Sequence, residues 1–421
     1  MFKFLHAADI HLDSPLLRLE RYEGAPVEEM RQATRRALGN LVQLALSECV
    51  SFVLIAGDLY DGDWKDYNTG LYFVSQLAKL REAGIPVLLI TGNHDAANRM
   101  TRILRLPEGA HVFPTDKPGT LHITELGVAV HGQGFATQGV KRDLSMGYPS
   151  AVSGCFNIGL LHTCATGREG HEPYAPCTID GLLSKGYDYW ALGHVHQREV
   201  LNGDPPIIFP GNIQGRHVRE AGPRGCVLVS VDNSGRASAD FRPLDVIRWE
   251  RCIVDVSESE SGYDAINRIA GRLEELRERS DGLPLVARVE MVGACRAHTE
   301  LAADPERWAN EVRSVAMDST GGEVWVEKVK FQTTLPSSGE AARISEGPIG
   351  ELLQVVDKIR SDPTRLHTLG TSLGDLWQKL PKELKEGDDA IVPQDAAWLA
   401  GIVDQVTPML LGRLMSKRDA R

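Results

Sequence analysis

The chain has 421 residues, 42% hydrophobic and 24% charged, which is enough length for two or three domains with sizeable cores and the usual balance of a soluble globular protein. A formal net charge of −11 at pH 7 excludes a generally basic protein that coats nucleic acid, while leaving room for a local cationic patch around an acidic site. Seven scattered cysteines without a CxxC pair exclude a zinc ribbon or thioredoxin-like motif, and no apolar run reaches the length of a membrane span, so the sequence predicts a cytoplasmic protein with reduced thiols and no membrane partner.

In chain order, short apolar runs each end in polar residues. "FKFLHAADIHLD" (2–13), "VSFVLIAGDLYD" (50–61) and "IPVLLITGNHD" (85–95) alternate with the helical patterns "MRQATRRALGNLVQLALSE" (30–48) and "NTGLYFVSQLAKLREAG" (68–84). "FNIGLLHT" (156–163), "YDYWALGHVH" (187–196) and "PIIFPGN" (206–212) follow. This α/β alternation puts loops at strand carboxyl ends, where ligands usually bind.

Those loops hold Asp9, His11, Asp58, Asn93, His94, His162, His194 and His196. In an extended segment residues i and i+2 share a face, so Asp9 with His11, and His194 with His196, are each expected to offer a pair of ligands to one cavity. Nitrogen and carboxylate ligands in this number suit a pair of divalent transition ions, with Asp58 as the natural bridge. Each residue alone has an ordinary explanation, since strand-end Asp often caps a helix and Asn-His after Gly often makes a turn. Their joint occurrence, in order and at predicted strand ends, points to a site.

With "ADIH", "GDLYD", "GNHD", "LLHT" and "GHVH" in this order, the sequence to about residue 245 resembles the calcineurin-like metallophosphoesterase superfamily. Within it, "FLHAADIHLDSPL", "IAGDLYD", "ITGNHD" and "PGNIQGRHVREAGPRGC" look like the SbcD-type DNA repair exonucleases, in their YhaO-type bacterial branch. The resemblance implies an α/β sandwich of two facing β-sheets flanked by helices. It implies one metal on Asp9, His11, Asp58 and His196 and another on Asp58, Asn93, His162 and His194. Mn2+ is the expected ion, although the same ligands accept Fe or Zn.

It further implies two-metal hydrolysis of DNA phosphodiester bonds, as exonuclease or endonuclease. His94 would stay free to hydrogen-bond a phosphate oxygen or protonate the leaving alkoxide, with Asp95 orienting its imidazole. Some nuclease relatives carry histidine at the end of "GDLYD"; this chain has Asp61, expected outside the ligand set.

Two basic clusters are candidates for tracking a phosphate backbone into the site: Arg99, Arg102 and Arg105, then Arg216, His217, Arg219 and Arg224. The competing reading is a solvated, salt-bridged surface. Residues 246–335 read as strand, helix, strand, helix, strand, a small α/β unit in the place of the nuclease capping domain, with Ile266, Ile269, Ala270 and Leu273 as the stripe of its first helix. Residues 336–421 read as a linker around "LPSSGEAAR" followed by amphipathic helices, where Trp398, Ile402, Val406 and Leu410 make one apolar face.

The partners expected are DNA, an SMC-like ATPase docked on the C-terminal helices, and a second copy of the chain as a homodimer. Rival functions are a nucleotide or small-molecule phosphodiesterase with the same metal core, and a non-catalytic protein-binding scaffold. Against the scaffold, no expected ligand is missing.

Overall fold

Phe52–Ala56 and Val87–Ile90 are apolar at every position and buried along their whole length. Such strands need cover on both faces, which a parallel sheet between two layers supplies. The computed structural model describes residues 1–14, 30, 32–61, 67–97, 106–165, 174–336, 348–381, 385 and 391–416.

The first sheet is built from β1 (Phe2–Ala7), β2 (Phe52–Ala56), β3 (Val87–Ile90) and β4 (Ala110–Val112), which run parallel in sequence order. The second is built from β5 (Gly119–Ile123), β6 (Val128–Gln133), β7 (Phe156–His162), β8 (Tyr189–Gly193), β9 (Glu199–Gly203) and β10 (Pro206–Phe209), in the order β5-β6-β7-β8-β10-β9. β11 (Gly225–Val231) and β12 (Ala237–Pro243) return to the first sheet as antiparallel strands, giving β12-β11-β1-β2-β3-β4.

Alternation along β1 shows how the layers are glued. Leu5 and Ala7 face a core that includes Leu38, Leu41 and Val42 of the helix Ala33–Ser47 and Phe73 and Leu77 of the helix Tyr67–Glu82. Phe4 faces the other way, into a core shared with Ile158, Leu160 and Tyr189 of the second sheet. His6 lies on that inner side too, with Nδ1 2.9 Å from the Tyr189 hydroxyl and Nε2 3.1 Å from the Leu192 carbonyl. Burial lowers its pKa to about 3, so it is a neutral cross-sheet strut.

The chain divides into two compact units, Met1–Glu250 with Leu283–Val286, and Arg251–Gly282 with Ala287–Arg421. The second holds most of a three-stranded sheet of β13 (Arg248–Asp255), β14 (Leu285–Ala294) and β15 (Val324–Thr334). Its helix Gly262–Glu278 starts with a reciprocal Ser261–Asp264 capping box and buries Ala265, Ile266, Ile269 and Leu273. A Cβ at Gly262 would enter the Trp308 ring, so glycine is required where this helix meets the helix Pro305–Thr320. The helices expected near the C-terminus belong to the same unit: Ala396–Ser416 packs on His298–Ala303, Pro348–Ser361 and Pro363–Ser372. No helix among the described residues is long and apolar enough to cross a membrane.

Candidate metal centre

β1, β2, β3, β7 and β8 all stop at one edge of the sandwich, and the expected ligands sit at or just past their ends. The chain beyond these strands does not stay extended. Asp9 (φ 51°), His11 (φ 45°), Asp58 (φ 52°) and His194 (φ 100°) have positive φ. The expectation that Asp9 and His11, and His194 and His196, converge by sharing one face of an extended segment is therefore corrected: turned backbone re-aims each side chain. Asp and His enter this region more readily than branched residues do. Hydrogen bonds from Asp9 N to Gly57 O (3.1 Å) and from His11 N to Asp58 O (3.1 Å) hold the first loop against the second. Gly193 lets the second sheet close on the first, because a Cβ there would enter the Ala56 carbonyl oxygen.

Three groups of ligand atoms follow: Asp9, His11 and His196; His11, Asp58 and His94; Asp58, His162 and His194, with the atoms of each group within 4.8 Å of one another. Asp58 and His11 link the groups into one centre. Asn93 joins through Oδ1, 2.9 Å from His162 Nε2.

Hydrogen bonding fixes which imidazole nitrogens are basic. His162 Nδ1 lies 2.9 Å from the Ala56 carbonyl, which can only accept, so Nδ1 carries the proton and Nε2 presents its lone pair to the Asn93 oxygen. His196 Nδ1 lies 2.7 Å from Glu220 Oε1, which leaves Nε2 to face His11 Nε2 at 3.1 Å. An acceptor facing an acceptor in a dry pocket, as His162 Nε2 faces Asn93 Oδ1, is what a cation between them relieves.

The charge balance agrees. Burial and the neighbouring Asp58 charge push the Asp9 carboxyl well above the usual range, and burial raises Asp58 to about 6 against the pull of the His94 ring. Burial lowers His162 to about 3 and, with Arg216, holds His11 well below its usual value. The centre combines carboxyls starved of positive charge with neutral imidazoles. This donor set fits divalent transition ions.

His94 lies at the rim, its ring partly exposed, with Nδ1 2.9 Å from Asp61 Oδ1. Asp61 in turn accepts from Ser14 Oγ (2.6 Å) and Arg216 Nη1 (3.1 Å). Burial opposes ionisation of Asp61, but the hydrogen bond from His94 and the Arg216 charge outweigh it and bring the carboxyl to about 2. Asp95 was expected to orient His94, and the structure corrects this. Its buried carboxylate accepts instead from the backbone N–H of Leu59 (3.0 Å), Tyr60 (3.1 Å) and Gly92 (3.0 Å), tying the loop after β2 to the loop after β3.

The second basic cluster also divides. Arg216 is 14% exposed in its side chain and is committed to Asp61, Ser14 and Glu220. Arg224 is buried and donates to the carbonyls of Glu220, Ala221 and His196. His217 and Arg219 remain exposed. Arg99, Arg102 and Arg105 lie outside the described residues. Glu220, Asn212 and Ser14 are missed by the sequence reading: Asn212 ends the run 206–212 but matches no ligand motif, and Glu220 and Ser14 stand at no strand end.

Comparison with known proteins places this geometry among relatives. Residues 2–198 match the family described as calcineurin-like phosphoesterase, and residues 249–334 match that described as metallophosphoesterase YhaO, middle domain. The chain is 34% identical over 294 residues to an uncharacterized metallophosphoesterase YhaO of Bacillus subtilis, covering 69% of this chain and 71% of that one. It is 28% identical over 428 residues to a DNA double-strand break repair protein Mre11 of Aeropyrum pernix, covering 97% of this chain and 98% of that one. A DNA double-strand break repair protein Mre11 of Sulfurisphaera tokodaii is 27% identical over 296 residues, covering 66% and 70%.

Proposed function

The chain belongs to the calcineurin-like metallophosphoesterase family, hydrolases that bind divalent metals and act on phosphoesters, and from this we propose that it is a two-metal phosphodiesterase whose substrate is DNA. The observation that carries the hydrolytic reading is the opposed pair of acceptors His162 Nε2 and Asn93 Oδ1, beside the convergence of His196 Nε2 and His11 Nε2 at 3.1 Å. Asp9, His11, Asp58 and His196 would hold one ion, and Asp58, Asn93, His162 and His194 the other. When bound, such ions activate water and neutralise the phosphoryl oxygens.

The chain's own residues supply the rest. Asp61 accepts a hydrogen bond from His94 Nδ1–H, so Nε2 is the nitrogen left to serve the substrate, giving a hydrogen bond to a phosphate oxygen or a proton to the leaving alkoxide. The buried ligands keep bulk water off the floor of the centre, while His94 stands where a substrate enters.

Likeness to the Mre11 proteins, one of them over nearly the full chain, supports DNA as substrate and nuclease action in repair. The exposed His217 and Arg219, beside the centre in sequence, suit contact with phosphates. Mn2+ is the ion this reading favours. The outward residues Val406 and Leu410 of the last helix suit docking of an SMC-like ATPase.

The test is incubation of the full chain, reconstituted with Mn2+, with end-labelled linear duplex, closed circular and single-stranded DNA beside a small aryl phosphodiester. Cleavage of linear DNA, abolished in Asp58→Asn together with bound Mn2+, is expected. Hydrolysis of the aryl ester alone would favour a small-molecule phosphodiesterase. No hydrolysis of any substrate would favour a scaffold.

A further inference from the structure

Glu220 lies 24 residues beyond His196, past β10, within the stretch 210–226 but outside every expected ligand position. It is nonetheless among the most heavily bonded carboxylates of the first unit. Its side chain is 4% exposed. Oε1 accepts from His196 Nδ1 at 2.7 Å and Arg216 Nη2 at 3.1 Å, and Oε2 accepts from the Arg216 backbone N–H at 2.7 Å and Asn212 Nδ2 at 2.9 Å. A carboxylate so bound cannot swing away from the imidazole it faces.

Arg216 extends the arrangement. One arm of its guanidinium reaches Glu220, its Nη2 also passing 3.2 Å from His196 Nδ1, and the other reaches Asp61 at 3.1 Å, the carboxylate that holds His94. Arg216 Nη2 and His196 Nδ1 both converge on Glu220 Oε1, and the shorter 2.7 Å contact assigns the His196 Nδ1 proton to that carboxylate. Arg224 closes the far side, donating to the Glu220 and His196 carbonyls, so the backbone of both residues is pinned as well. A planar fork suits this double attachment in a way an ammonium does not.

We propose that Glu220 is the positioning residue of His196, fixing its proton on Nδ1 and its lone pair on Nε2, and that Arg216 joins this carboxylate to Asp61 so that one guanidinium aligns His196 and His94 together. The inference rests on the metal-centre reading of the site. It also gives Arg216 a different task from the phosphate contact that its sequence context suggests. A phosphate-contacting Arg216 would affect DNA binding and its salt dependence, and would leave metal binding untouched. A positioning Arg216 affects metal binding even without DNA.

The experiment uses the full-length chain. First, metal-free protein with 15N-labelled histidine is compared with Glu220→Gln, the His196 signals being assigned from a His196→Ala chain. Wild type is expected to show a single tautomer protonated at Nδ1, and Glu220→Gln a mixture or the opposite tautomer. Second, Mn2+ is titrated calorimetrically without substrate. Glu220→Gln is expected to bind one of its two ions about 10- to 100-fold more weakly, the usual loss when a group that orients a ligand is changed. Arg216→Lys, which keeps a cation between the two carboxylates, carries the test if Glu220→Gln does not fold. It is expected to weaken Mn2+ binding, and to slow a small aryl phosphodiester as much as it slows DNA.

An unchanged His196 spectrum with unchanged Mn2+ affinity in Glu220→Gln overturns the proposal and leaves the metal centre standing. Arg216→Lys that lowers DNA affinity alone overturns the part assigned to Arg216. Wild-type protein that takes up no Mn2+, Fe or Zn overturns the metal-centre reading itself.

Discussion

His94 and Asp61, 2.9 Å apart, make the most sharply testable pair in the molecule. His94→Asn should keep its metal and slow DNA cleavage by about 10²- to 10⁴-fold, while an aryl phosphodiester with a good leaving group is partly spared; metal analysis beside the two rate assays checks this. Asp61→Asn should move rates in the same direction by less, since the imidazole remains but loses its anionic anchor. Asp58 and Asp95 allow a prediction in pH. Burial raises them to about 6 and about 7 in the folded chain, above the ordinary carboxylate value of about 4. A raised folded pKa gives stability that is fully present below the unfolded value and lost as pH rises through the folded one. The metal-free chain therefore loses this contribution between about pH 4 and pH 7. Bound cations favour the ionised forms, so the melting-temperature gap between Mn2+-loaded and chelated protein should widen from about pH 5 to pH 8. A flat or narrowing gap would count against the centre. At this scale the candidate ligands that the fold brings together are legible in the sequence because their types and order are unusual. The partner of His94 is not, because Asp61 and Asp95 both stand within reach along the chain, and only the fold shows that Asp95 is turned toward the N–H groups of Leu59, Tyr60 and Gly92.

Among the elements, the helix Ala33–Ser47 ends in a Schellman motif, with Val50 N–H on the Ala45 carbonyl (3.1 Å) and Cys49 N–H on that of Leu46 (3.2 Å). Cys49 occupies the left-handed position at φ 50° with an exposed side chain. Cys49→Gly should stabilise the chain by about 0.5–1 kcal/mol in denaturant unfolding, without touching activity. The opposite is expected of Asp95→Asn. It leaves up to three backbone donors in two ligand loops poorly satisfied, so about 1–3 kcal/mol of stability should be lost, together with some bound metal. The strands β1, β2, β3, β7, β8 and β10 are legible because they are nearly continuous apolar runs. β5, β9 and β12 escape the sequence reading, for their half-buried and exposed residues alternate along edges or near them. β11 is as apolar as the strands named above, but it runs antiparallel to β1, so its end, followed by Asp232, lies beside Phe2 at the start of β1 rather than beside the ligand loops. The left-handed turns at Asp9, His11, Asp58 and His194 are equally invisible, since these residue types permit that backbone without demanding it.

For the molecule as a whole, the decisive feature is that loops from the first sheet bring Asp9, His11, Asp58 and Asn93, while the second sheet brings His162, His194 and His196. Bound ions would bridge the two layers, so chelation should lower the melting temperature of the first unit, read by calorimetry. Deleting residues 340–421 should leave Mn2+ per chain unchanged, because every expected ligand lies between Asp9 and His196. The same deletion should abolish co-purification with an SMC-like ATPase from the host; retained association would place that contact elsewhere. Strand order has one more consequence, for the time at which the protein is made. β1 is translated long before its antiparallel neighbour Gly225–Val231, and Glu220 comes only shortly before that neighbour. Until then the nascent chain carries β1, with Asp9 and His11 just past its end, with one strand edge unpaired. All the expected ligands, Asp9 to His196, are therefore made before the strand that flanks β1 and before the carboxylate that faces His196: the pieces of the centre precede the parts that hold them in place.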